Sequence, residues 1–500
     1  MCLAIAIGLV LAASGVLAAD KKKDEAPKWD VNAAHGPTKK IAFSTDEGTW
    51  MDVDVSPDGK TIAFDLLGDL YLLPIGGGKA KRITSGPTFD VQPRFSPDGK
   101  ELSFTSDRAG GNNVWRIGVD GKHAVQVSKE KFRLMNNPVW TPDGQYLIAR
   151  KHFTSERSLG AGELWLFHKS GGDGLQLTKQ KNDQQDQGEP AVSPDGRHVY
   201  FSEDVSPGPT FQYNKNPHDV IYAIRRLDRE TGEIINLVAT PGGAVRPEAS
   251  PNGKRLAFVK RVREKSVLHT LELESGEVRP LWDGLSHDMQ EAWAIFGPYA
   301  NFDWTPDSSA LVVWAQGKLW RVDARTGAAS NIPFSADVEQ TVAEPLRFTR
   351  KLDQGRFAPK MIRDVATSPD GKSVVFHALG QLWMKQLPEG EPRRLTSNIG
   401  VYEYQPSFNS VGTKLLYTSW NDADLVTLRE RDLATGSDRA VTSRKGFYFG
   451  ARYSPDGSRI VYSRGGGGGL TGRLWSGEPG IYVMPAAGGE AIRVICLPVG

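Results

Sequence analysis

Residues 90–107 read DVQPRFSPDGKELSFTSD. The centre, Ser96-Pro97-Asp98-Gly99, has the chemistry of a tight turn. Proline pre-sets φ at the second position, aspartate can bond back to the main chain, and glycine takes the positive φ that returns the chain. Val91, Arg94 and Phe95 run into the turn, and Leu102 and Phe104 leave it on one face. Period two beside such a turn predicts two antiparallel strands with one buried face.

The phrase recurs at Ser56, Ser193, Ser368 and Ser454 as SPDG, and in altered form at Thr141, Ser250, Thr305 and Asn409. An apolar pair follows each turn, from Ile62 and Phe64 in the first copy to Ile460 and Tyr462 in the last. The nine copies start 40 to 63 residues apart. A third strand carries an aliphatic–aromatic pair such as Leu70-Tyr71, Val114-Trp115 or Ile481-Tyr482. A short polar fourth strand follows, such as Arg82-Ile83-Thr84. Four strands per repeat define the blade of an all-β propeller, with the fourth strand at the exposed outer edge.

Nine blades exceed the usual four to eight of one ring. The longest gap, between the turns at Thr305 and Ser368, contains the phrase-free stretch Phe334–Asp364. The expected layout is six repeats over residues 39–335, a linker over 336–364, and three repeats of an incomplete second ring over 365–500. A single irregular ring of all nine is the alternative. Residues 39–44 read as a strand without a blade. It is expected to pair with a late blade and close the ring.

Charged residues make up 24% of the chain and the net charge is +2, so no strong field points to nucleic acid or an acidic membrane. The 54 glycines and 31 prolines are spread over turn positions, which suits many hairpins. Two cysteines, Cys2 and Cys496, stand far apart, which argues against a disulfide framework or a structural zinc site. Residues 1–19 have the apolar run and small-residue end of a secretory signal peptide, and 20–38 read as a tail. A periplasmic or secreted location follows, with no membrane span once the signal is removed.

Chemistry is sparse. No GxSxG elbow occurs, and the nine histidines include no HxH, HExxH or HxxxH pair. No catalytic residue, metal ligand or cofactor is therefore assigned within the chain. Three insertions stand out, at Glu203–Asp219, Asp283–Asp303 and Arg464–Gly480, and loops on a propeller face are common binding elements. Lys151, His152 and Arg157 lie within seven residues and could hold an acidic group at the ring mouth. A solvated hairpin loop is the competing reading.

The repeats resemble the WD40-like repeats of TolB-like propellers, which TolB shares with tricorn-type and prolyl-oligopeptidase-type peptidases. Longer stretches, among them residues 46–74, 151–168 (KHFTSERSLGAGELWLFH), 188–196, 205–213 and 290–308 (QEAWAIFGPYANFDWTPDS), are more specific. They resemble the N-terminal half of secreted bacterial amidohydrolase-family proteins, which join a long propeller region to a metal-dependent barrel. That resemblance implies hydrolysis of C–N bonds by a metal-activated water in the barrel. It implies a non-catalytic propeller that gates substrate or supports the barrel, and the expected chain is truncated before it. Its partner would be that C-terminal domain, and the divalent metal belongs there. Two alternatives remain: a free-standing periplasmic propeller binding a peptide or envelope protein, and the propeller of a peptidase.

Overall fold

The computed structural model describes residues 30–33, 36–153, 161–182, 185–208, 219–292, 294–344, 349–353, 355–465 and 478–496. The expected signal peptide, most of the expected tail and Arg157 lie outside these residues. So does much of two insertions, those beginning at Glu203 and Arg464.

Each turn phrase forms a hairpin held by its own side chains. At the first, Gly59 N donates to Ser56 O at 2.8 Å, and the Ser56 hydroxyl donates to Asp58 Oδ1 at 2.7 Å while accepting from Thr61 N at 2.9 Å. Asp58 Oδ1 also accepts from Lys60 N at 3.0 Å. Gly59 has φ +70°, the left-handed region where a Cβ is strained. In the sixth copy Ser308 takes this place at φ 58°.

The strands assemble into nine four-stranded antiparallel sheets, one per phrase. Blades 1 to 6 occupy residues 53–82, 90–126, 135–176, 187–238, 245–282 and 303–332, and blades 7 to 9 occupy 363–394, 402–440 and 448–496. The fourth strands are short and mostly exposed or half-buried, fully exposed at Leu175–Gln176 and half-buried at Val125–Gln126.

Inside the ring the expectation of one buried face is overturned. Asp90–Phe95 is buried at every position, and Glu101–Ser106 at all but its first. Each blade is sandwiched between two neighbours, so both faces of its inner strands leave water. Ala63 and Leu70 pack toward blade 2, while Phe64 and Tyr71 join the core shared with blade 6.

Blade 6 closes on blade 1. Val53 N donates to Asn301 O at 3.0 Å, Val55 N to Asp303 Oδ2 at 3.0 Å, and the Trp314 indole N–H to Gly48 O at 2.8 Å. One apolar core runs through the seam, joining Val53, Phe64 and Leu73 to Trp304, Val313 and Leu319.

The N-terminal strand does not enter a blade. Thr38–Thr45 pairs antiparallel with Phe334–Ala343, which follows blade 6 and starts the stretch read as a linker. Phe334–Ser335 pairs in parallel with Gly78–Lys79 of blade 1. The seam is thus closed by blade packing, and this outer strand, hereafter the latch, bridges it. Blade 6 already has four strands of its own, which leaves no place for the N-terminal strand in its sheet.

Blades 7, 8 and 9 pack in series, with Leu382 and Leu415 in the first interface and Leu428 and Tyr462 in the second. The leading strand of blade 7, Arg363–Thr367, is exposed at four of its five positions, whereas Val53–Val55 is wholly buried. Among the described residues no helix is long and apolar enough to cross a membrane.

Candidate functional site: the channel and the loop face

Antiparallel order places the turn phrases of blades 1 to 6 on one face of the ring. The turns between second and third strands and the connections between blades fall on the other, here the loop face. The insertion before blade 6, the described start of the one at Glu203 and the strand end at residues 151–153 belong to it, whereas the insertion beginning at Arg464 is in blade 9, outside this ring.

A repeated proline shapes the channel. Pro93, Pro138, Pro190 and Pro247 stand three residues before their turn phrases. A proline cannot donate to the ladder, and each sits in a register break of the innermost strand. The preceding residues Gln92, Asn137, Glu189 and Arg246 have φ between 54° and 60°. With Asp52 and Asn301 at the matching positions they form a buried polar girdle.

The girdle is continuously bonded. Gln92 Nε2 donates to Asn137 Oδ1 at 3.0 Å, and Asn137 N donates to Gln92 Oε1 at 2.9 Å. Arg246 Nη1 donates to Asn137 Oδ1 at 2.8 Å and also to Asn301 Oδ1. Its Nη2 lies 3.2 Å from Glu189 Oε1. A second layer lies two residues further on. Arg94 of blade 2 reaches Asp54 of blade 1 at 2.9 Å and Glu248 of blade 5, directly across a six-bladed ring, at 2.6 Å.

Burial pushes the Asp303 carboxyl well above the usual range, and the neighbouring Asp54 and Glu248 push it further. Burial, then Asp52, does the same to Asp65. Asp65 accepts from Asp52 N and Gln92 N.

The insertion before blade 6 covers the girdle. Asp288 is held by Ser266 and Arg261 of blade 5, and Gln290 Nε2 donates to Gly242 O at 3.2 Å. The chain then crosses the channel. The Phe296 carbonyl accepts from Gln92 at 2.9 Å and Arg246 at 3.1 Å, and the Ile295 carbonyl accepts from Asn136 at 2.7 Å. The Phe296 ring packs on Phe89 at 5.7 Å. This plug joins blades 2, 3 and 5 over the channel.

The structure does not bring Lys151 and His152 together. They are successive residues of one strand and point to opposite faces. Lys151 pairs with Glu130 and lies 4.3 Å from the centre of the Trp165 ring. His152 is fully buried, with Nε2 3.3 Å from Asn136 Nδ2. Its neighbour Arg150, also buried, donates from Nε to Asn136 Oδ1 at 2.8 Å and from Nη1 to Asp186 Oδ2 at 2.6 Å. Among the described residues, no group of three or more His, Cys, Asp and Glu is placed to hold a metal ion. Sequence reading passed over the girdle. The available signal was the polar residue before each repeated proline.

A closed ring of four-stranded hairpin blades is a β-propeller, and residues 37–214 of this one match the family model described as TolB beta propeller domain. The Tol-Pal system protein TolB of Bordetella pertussis is 44% identical over 59 residues, 12% of this chain and 14% of TolB. That of Wolinella succinogenes is 35% identical over 121 residues, 23% of this chain and 28% of TolB. The uncharacterized peptidase YuxL of Bacillus subtilis is 31% identical over 170 residues, 33% of this chain and 23% of YuxL. Among solved structures, the putative TolB from Agrobacterium tumefaciens aligns at 17% identity and TM-score 0.41, covering 55% of this chain and 96% of that one. The tricorn protease aligns at 12% and 0.44, covering 88% and 49%. The chain thus spans well under a third of the curated relatives named here.

Proposed function

We propose that this chain is the non-catalytic propeller region of a secreted amidohydrolase-type hydrolase, gating substrate or supporting the catalytic barrel from its loop face. One observation carries the reading. The stretches that resemble amidohydrolase-associated propellers contribute to the girdle and the plug: 46–74 supplies Asp52 and, in the second layer, Asp54, 188–196 supplies Glu189, and 290–308 supplies Asn301 and runs through the plug. Main-chain carbonyls of the plug, not reactive side chains, face the channel polar groups, which suits a lid or docking element. The metal and the hydrolysis belong to the barrel in this reading, and the location is periplasmic or exported.

The test has two parts: reading the source DNA beyond codon 500, and assaying the longer product on amide substrates with and without a chelator. A continuing frame with an HxH strand and chelator-sensitive hydrolysis supports the proposal. A second reading, a propeller that binds an envelope protein or peptide, draws on the TolB matches. It gains if no coherent frame follows and the chain alone captures one defined envelope protein. The YuxL match keeps a peptidase propeller as a third outcome, marked by a GxSxG elbow downstream.

A further inference from the structure

Blades 1 and 9 share an outer-edge sequence. Residues 70–82 read LYLLPIGGGKAKR, and 481–493 read IYVMPAAGGEAIR. The match holds in space. Phe64 and Tyr71 stack at 5.5 Å and 14°, and Tyr462 and Tyr482 at 5.7 Å and 7°. Arg82 sits across the sheet from Tyr71, as Arg493 does from Tyr482. Gly77 N donates to Pro74 O, and Gly488 N to Pro485 O.

In blade 1 this edge is filled by the latch. Gly78 N donates to Pro333 O at 2.8 Å, Ala80 N to Ser335 O at 2.7 Å, and Arg82 Nη1 to Glu339 O at 2.6 Å. Phe334, Ala336 and Val338 point inward and are buried, while Ser335, Asp337 and Glu339 are exposed. Lys79 pairs with Asp337 at 2.7 Å.

In blade 9 the same edge borders an open groove of about 690 Å³ between blades 8 and 9. Its walls include Tyr448, Tyr462, Tyr482, Arg464, Glu490 and Arg493. It runs the height of the blade, from Gly489 on the phrase side to Arg464 on the loop side. The N–H groups of Gly489 and Ala491, the counterparts of Gly78 and Ala80, have no main-chain acceptor among the described residues. Arg464 Nε is buried without a partner there.

We infer that this groove receives an extended strand of a partner protein, seated as the latch is seated on blade 1. Such strand addition takes affinity from main-chain hydrogen bonds and selectivity from alternate side chains. The differences between the two edges define the strand. Glu490 stands where Lys79 stands, so the residue facing it is basic instead of acidic. Tyr448 lies edge-on to Tyr462 at 5.6 Å, the relation Phe334 has to Phe64 at 5.4 Å, so the first inward residue is a small aliphatic. The Tyr482 hydroxyl already donates to Glu478 O at 2.7 Å, which leaves the two N–H groups and Arg493 as anchors. This inference concerns a cleft between blades and stands apart from the role of the loop face.

The probe is a fluorescein-labelled peptide, PVSAKVEQTVA, which is the latch 333–343 with Phe334→Val and Asp337→Lys. It is titrated with the full chain by fluorescence anisotropy. Saturable binding is expected, tighter than that of the unaltered latch peptide PFSADVEQTVA. Glu490→Lys should reverse that preference, and Ala491→Pro, which removes one donor, should weaken binding about tenfold. The exposed Glu490 swap decides the matter if Ala491→Pro disturbs blade 9. Absence of saturable binding, or equal affinity for both peptides, overturns the inference. So does binding that Arg82→Ala abolishes and Ala491→Pro spares, since the peptide would then displace the native latch. A concentration-dependent dimer dissolved by the peptide would assign the groove to a second copy and overturn the partner assignment.

Discussion

Gly59 of blade 1 lies against Pro306 of blade 6: a Cβ built on Gly59 would come 3.4 Å from the proline Cδ. The same relation links each turn to the one before it, Gly99 to Pro57, Gly144 to Pro97, Gly196 to Pro142 and Gly253 to Pro194. The Gly59–Pro306 pair completes the circle after six turns. Gly371, which opens blade 7, would meet nothing within 4 Å, so blade 7 starts a new array.

Both turn glycines have φ +70°, so alanine at either costs about 1 kcal/mol or more from backbone strain alone. A larger residue separates the two sites. Gly59→Leu should lower the melting temperature further than Gly371→Leu, because only the former meets a neighbouring turn. Equal shifts by calorimetry would count against closure at this seam.

Arg246 joins four blades through Asn137, Glu189 and Asn301. Arg246→Ala strands the Glu189 carboxylate in the channel and is expected to cost about 3–5 kcal/mol in urea unfolding. Arg246→Met combined with Glu189→Gln removes both charges and should cost less than the single change. A double variant worse than the single one would mean that the charges themselves stabilise the girdle.

The Asp69 carboxyl is pushed up to about 7, chiefly by burial, with Asp90 adding to the rise and Arg82 opposing it. Gln340 of the latch donates to its Oδ2 at 2.9 Å. A carboxyl with a raised folded-state pKa takes up a proton on folding. Its contribution is complete below the ordinary value of 3.8 and is lost as pH rises through about 7. The first ring should therefore melt at lower temperature near pH 8 than near pH 5, and Asp69→Asn should flatten that slope.

Phe334 anchors the latch edge-on to Phe64 and is buried. Phe334→Ala should cost about 3 kcal/mol and leave the melting of blades 7 to 9 unchanged. Loss of stability across the whole chain would show that both arrays unfold as one unit.

Much of the blade was legible in the sequence because it is local. Ser56, Asp58 and Gly59 bond to one another and to Lys60 and Thr61, all within five residues, so the local sequence specifies the hairpin, and period two specifies the flanking strands. The paired faces were harder to read. A strand packed on both sides needs no strict alternation, and Asp52, Asp54 and Arg94 occupy positions that look solvent-facing until a ring encloses them. Lys151 and His152 looked convergent because they are adjacent in sequence, yet adjacent strand residues face opposite ways.

The sequence by itself determined the repeat, its four strands and its turn chemistry, since these depend on contacts a few residues apart. Only the tertiary structure decided that six blades close, that Thr38–Thr45 meets Phe334–Ala343 outside the blades, and that Arg94 and Arg246 bind across the channel. Those contacts join residues separated by up to about three hundred positions, and what fixes them is the packing of twisted sheets around a common axis. No local pattern encodes that geometry.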